Sequence, residues 1–147
     1  MTPEMMKIPV SQVMSCKKVQ QLQSFDSIAH ALALFESQKI SGLPVVDPIN
    51  RYVGVLTQSD IVRPRLLHAL QDDPEATKLF VKDFMNRSTV VVVNEQDTME
   101  KAVQLLYQRE IRRLFVLNAK KQVVGVLSVK DVLRYLCANK VLSVGKS

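Results

Sequence analysis

The feature that most constrains this chain is a stretch written twice. Gly54-Val55-Leu56-Thr57-Gln58-Ser59-Asp60 returns as Gly125-Val126-Leu127-Ser128-Val129-Lys130-Asp131, 71 positions later (125 − 54 = 71). The offset holds without a gap from Val10–Arg63 to Val81–Arg134, and 15 of those 54 positions are identical. Such a duplication means two like units before any fold is considered. In each copy an aliphatic, β-branched run stops at a hydroxyl residue, and Asp follows three positions on. That pattern predicts a strand running into a capped helix. A helix start with free N–H groups and a spare hydroxyl also suits a phosphate.

The remaining segments repeat in the same order. A helical turn is predicted at Val10–Met14 and Val81–Met85, and a strand at Val19–Leu22 and Val90–Val93. Asp26 and Asp97 are expected as N-caps, because helical spacing follows: Ile28, Ala31, Leu32 and Phe35 in one copy, Met99, Ala102, Val103 and Leu106 in the other. Strands follow at Leu43–Val46 and Leu114–Leu117, then at Tyr52–Leu56 and Val123–Leu127. Each unit is therefore β-α-β-β-α, an α+β fold. A unit of about 55 residues is marginal alone, so the two are expected to pack together in pseudo-two-fold symmetry. The division expected is a loose lead-in at 1–9, repeats at 10–71 and 81–138, an acidic connector at 72–80 and a tail at 139–147. Pro64 should kink or restart the last helix of the first repeat, where the second has Tyr135.

Composition narrows the function classes. A hydrophobic content of 47% with only 5% aromatics predicts an aliphatic core. No apolar run approaches a bilayer span, and Met1–Lys7 carries no signal-peptide h-region, so a cytoplasmic protein without membrane insertion is expected. The net charge is +6, of which +8 falls from Lys101 onward and −2 on the residues before it. Cys16 and Cys137 have no partner spacing, and His30 and His68 stand apart from any nucleophile or acid at useful separation. There is no Gly-rich phosphate loop and no metal-ligand cluster. Neither catalysis nor a catalytic cofactor is therefore expected.

Ile40-Ser41-Gly42-Leu43-Pro44-Val45-Val46-Asp47 with Gly54–Asp60, and Ile111–Asn118 with Gly125–Asp131, resemble the tandem CBS (cystathionine β-synthase) domain pair, or Bateman module. The resemblance spans about Val10 to Leu136. It implies a regulatory module that binds AMP, ADP, ATP or S-adenosylmethionine in clefts between the units. It also implies a homodimer acting on an unidentified regulated protein. Asp60 and Asp131 would hold ribose, a carboxylate accepting two hydrogen bonds from a cis-diol. Thr57 and Ser128 would offer hydroxyls to phosphate. Adenine would lie among Val55, Val126, Val19 and Val90. Ser59 and Lys130 sit in the same junctions, and Arg113, where the first repeat has Gly42, matches the family's basic phosphate-binding position. On these grounds the Ser128/Asp131/Arg113 site is expected to bind more tightly than the Thr57/Asp60 site. Pro44 becomes Phe115 and Asp47 becomes Asn118, departures that bear on the second pocket's shape. Two other readings remain at this stage: a ligandless interaction scaffold and, weaker, nucleic-acid binding through the basic C-terminal third. A plain capping role for the Ser/Thr-x-x-Asp pairs is compatible with ligand binding.

Overall fold

The computed structural model describes residues 3–17, 19–38, 40–87 and 91–139. It resolves into two compact units. One is Gln20–Thr89; the other joins the residues up to Val19 with those from Val90 onward.

In the Gln20–Thr89 unit, β1 (Leu22–Gln23), β2 (Gly42–Val46) and β3 (Tyr52–Thr57) form a sheet in the order β1-β2-β3. The first pair is parallel and the second antiparallel. Helix α2 (Ile28–Gln38) makes the crossover between β1 and β2, and α3 (Gln58–Ile61) and α4 (Pro64–Asp72) follow β3. Leu22, Ile28, Ala31, Leu43, Val45, Leu56 and Leu66 make the aliphatic core. Pro64 is the first residue of α4, and Val62 and Arg63 lie outside either helix. A proline lacks the N–H that a helix interior needs but fits its first turn, so the helix restarts there.

The other unit repeats the plan with β4 (Val92–Asn94), β5 (Arg113–Leu117) and β6 (Val123–Ser128), and helices α5 (Met99–Gln108) and α6 (Val129–Ala138). One departure has a visible cause. The Phe115 N–H donates to the Val91 carbonyl at 2.7 Å. Pro44, at the equivalent place, has no N–H to give, and β1 starts one residue later in the repeat than β4. The other departure leaves the backbone alone. Asp47 Oδ1 accepts from the Ile49 and Arg51 N–H groups, and Asn118 Oδ1 accepts from Lys120 and Gln122 in the same way.

The lead-in is more ordered than its sequence suggests. Pro3–Lys7 forms helix α1, which packs on α5. Met5 is 1% exposed and belongs to the core with Val10, Met99 and Ala102. The acidic connector is likewise built in. The first N–H groups of a helix need outside acceptors, and Ile28 and Ala29 find them in the carbonyls of Leu79 and Ala76. Met99 finds its acceptor in Ile8. Asp26 and Asp97 are not the N-caps. Their carboxylates turn back to the N–H groups of Gln23 and Asn94, while Ser27 and Thr98 accept from His30 and Lys101. An Asp placed just after a strand satisfies that local turn first.

The compact units are not the sequence repeats. Val10 and Ser11 donate to Asp97 and Glu95, and Val81 and Lys82 donate to Asp26 and Ser24. Each unit is thus completed by the lead of the other repeat. Ser15 pairs with Val126 on β6, and Asn86 pairs with Val55 on β3.

Candidate functional site

The repeated junction takes the same form in both units. Strand β3 ends at Thr57 with extended backbone, and Thr57 caps α3. Its hydroxyl accepts from the Asp60 N–H at 3.3 Å and donates to Asp60 Oδ2 at 3.0 Å. Oδ2 also accepts the Thr57 N–H at 2.8 Å, and Oδ1 lies 3.3 Å from Arg63 Nε. In the second unit Ser128 and Asp131 form the same box, with Arg134 Nη1 3.2 Å from Asp131 Oδ1. Asp60 is 4% exposed and Asp131 7%. Such buried carboxylates persist only when paired and hydrogen-bonded.

The capping role is therefore real, and it leaves room for a ligand. A carboxylate offers about four acceptor sites, and the box and Arg63 occupy three at Asp60. Asp60 lines a cavity of about 550 Å³ with Arg63, Pro64, Arg65, Leu66, Phe84, Met85, Asn86 and Arg87. The Thr57 hydroxyl proton is committed inside the box, and the cationic side chains lining the cavity are Arg63, Arg65 and Arg87. The Arg65 guanidinium stands 5.1 Å over the Phe84 ring. These arginines were not singled out in the sequence. A signal was present for one of them, since Arg63 and Arg134 are among the identical positions of the duplication.

Residues 84–87, which line the cavity, also approach β3 closely. The Val55 and Asn86 N–H groups each bond the other's carbonyl at 2.8 Å. A Cβ at Gly54 would stand 2.7 Å from the Asn86 oxygen, and one at Gly125 would stand 2.8 Å from the Ser15 oxygen. Close backbone approach is thus what requires both glycines.

Val55 is buried beside the Asn86 bridge, and Val126 is half-buried beside Ser15. Val19 belongs to the unit of Val126 rather than that of Val55; Val90 lies outside the described residues. Ser59 and Lys130 are exposed on their helices. Arg113 pairs in register with Ser128, and residues directly opposite in an antiparallel pair share a face. The structure therefore brings Arg113, Ser128 and Asp131 into one neighbourhood. Among the described residues there is no cluster that could hold a metal ion, and no helix is long and apolar enough to cross a membrane.

Inosine-5'-monophosphate dehydrogenase of Methanocaldococcus jannaschii is 30% identical over 109 residues, 74% of this chain but only 20% of that protein. The chain therefore spans about a fifth of that relative's length. A crystal structure of CBSX2 in complex with AMP superposes with a TM-score of 0.73 at 27% identity, covering 90% of this chain and 98% of that one. The CBS-pair protein CBSX2 from Arabidopsis thaliana gives a TM-score of 0.73 at 26% identity, covering 90% and 96%. The CBS domain model itself matches twice, over residues 10–66 and 81–138, and on that match the chain belongs to the CBS domain family, as a CBS pair.

Proposed function

We propose that this chain is a non-enzymatic regulatory module that binds an adenine nucleotide in the cavity beside Asp60. The observation carrying this reading is the combination of one buried, partly unsaturated carboxylate with three arginines around a single cavity. A carboxylate suits a ribose diol, and guanidiniums suit phosphate. The AMP complex of CBSX2 supports the ligand class. On this reading we place the tighter site at Asp60 rather than at Asp131, because Arg63, Arg65 and Arg87 line its cavity.

Ligand binding signals only through differential affinity for two arrangements. We take these to be two packings of a homodimer, read by a separate regulated protein. Thermal denaturation with AMP, ADP, ATP and S-adenosylmethionine tests the ligand reading. A ligand selective for the folded state stabilises it by about 2.7 kcal/mol at a hundredfold excess over Kd. Asp60→Ala should abolish the shift produced by the best ligand. If none of the four raises Tm, the chain is a ligandless scaffold instead.

A further inference from the structure

We infer that the Asp60 cavity selects nucleoside polyphosphates over the monophosphate and excludes S-adenosylmethionine, a selectivity that rests on the nucleotide reading above. Its charges divide into two groups. Asp60 and Arg63 form a pair at 3.3 Å, so neither adds much net charge. Arg65 and Arg87 line the same cavity, and Asp60 is the only acidic residue among the described residues that line it. Phe84 fixes Arg65 by stacking, which orients the cation without neutralising it. Arg65 and Leu66 also lie in the first turn of the nine-residue α4, whose dipole adds to the positive end.

One guanidinium can satisfy a single phosphate in bidentate fashion. A second can share that phosphate's remaining oxygen, but it gains a bidentate partner of its own only when a further phosphate is present. A sulfonium cation meets repulsion from both. The set is peculiar to this unit. Shifted by 71 positions, Arg87 becomes Cys16, Arg65 becomes Leu136 and Phe84 becomes Val13, while Arg63 keeps its counterpart in Arg134. The Arg65, Arg87 and Phe84 set therefore belongs to the Asp60 site and has no equivalent at the Asp131 site.

The test is calorimetric titration of the whole chain with adenosine, AMP, ATP and S-adenosylmethionine, with tripolyphosphate as competitor. ATP should bind about tenfold or more tightly than AMP, the scale of one added charge-assisted contact. In Arg65→Ala/Arg87→Ala the ratio should fall to within about threefold, with AMP itself changed less than ATP. Tripolyphosphate should compete in the parent and not in the double variant. Arg109→Ala/Lys120→Ala removes the same charge from exposed positions outside the cavity, and it should leave the ratio intact. Equal affinity for AMP and ATP in the parent, or an equal loss in the distant-charge variant, overturns the selectivity while leaving the nucleotide reading in place. Absence of binding by all four adenosyl ligands overturns both.

Discussion

Gly54→Ala probes the close approach of Asn86 to β3. The added Cβ would sit 2.7 Å from the Asn86 carbonyl oxygen and 3.0 Å from Met85 Sδ. Carbon against a carbonyl oxygen ordinarily stands about 3.3–3.6 Å away, so the lead must retreat by roughly 0.6–0.9 Å. The two Val55–Asn86 hydrogen bonds, both 2.8 Å, would then stretch to about 3.5 Å, where little remains of them. Losing both costs about 2 kcal/mol at ~1 kcal/mol each. Residual overpacking adds about 1–3 kcal/mol. Alanine recovers about 0.4–1 kcal/mol by restricting the unfolded chain. The net expectation is a destabilisation of about 2–5 kcal/mol, or a fall in Tm of roughly 5–20 °C. Urea denaturation followed by far-UV circular dichroism measures it. Gly42→Ala is the internal control, because its Cβ would come no nearer than 3.4 Å to any neighbour, the nearest being Thr57 Cγ2; it should stay within about 0.5 kcal/mol of the parent. A loss at Gly54 below about 0.5 kcal/mol, or an equal loss at Gly42, would refute the close-approach argument.

Three further outcomes are expected. Met5→Ala should cost about 2–5 kcal/mol by urea denaturation, since Met5 is a fully enclosed core residue; a surface-like loss would return the lead-in to a dispensable role. The Arg51 backbone N–H, with help from its side chain, holds the Asp47 carboxyl below its usual range. That contribution is present above the unfolded value near 3.8 and is lost as pH falls through the folded one. Asp47→Asn, which copies Asn118, should keep the turn and lose this part of the acid dependence in a pH series of melts. Burial pushes the Tyr52 phenol up to about 12. Its contribution is full below the unfolded value near 10 and is lost between about 10 and 12. Tyr52→Phe should flatten the stability profile in that window, and an unchanged slope would contradict the assignment.

The sequence alone determined a good deal. The 71-residue period, the strand-to-helix junctions and the Ser/Thr-x-x-Asp pairs were legible because each is a local pattern fixed by backbone hydrogen bonding and alternation. Pro64 as a restart was legible for the same reason. Asp26 and Asp97 misled because two local acceptors compete there, and the residue after each Asp wins the helix end.

What only the tertiary structure decided is which lead completes which unit. Val10–Ser15 and Val81–Asn86 offer equivalent backbone groups and apolar residues at the same positions, so docking within a repeat or across repeats makes equivalent backbone bonds, and periodicity cannot tell them apart. The exchange in turn places Phe84, Met85, Asn86 and Arg87 beside Asp60. Those residues stand 24 or more positions away from it in the chain (84 − 60 = 24), and no local pattern joins them. The glycines at 54 and 125 record the requirement in the sequence, but only the approaching carbonyls of Asn86 and Ser15 reveal what they make room for.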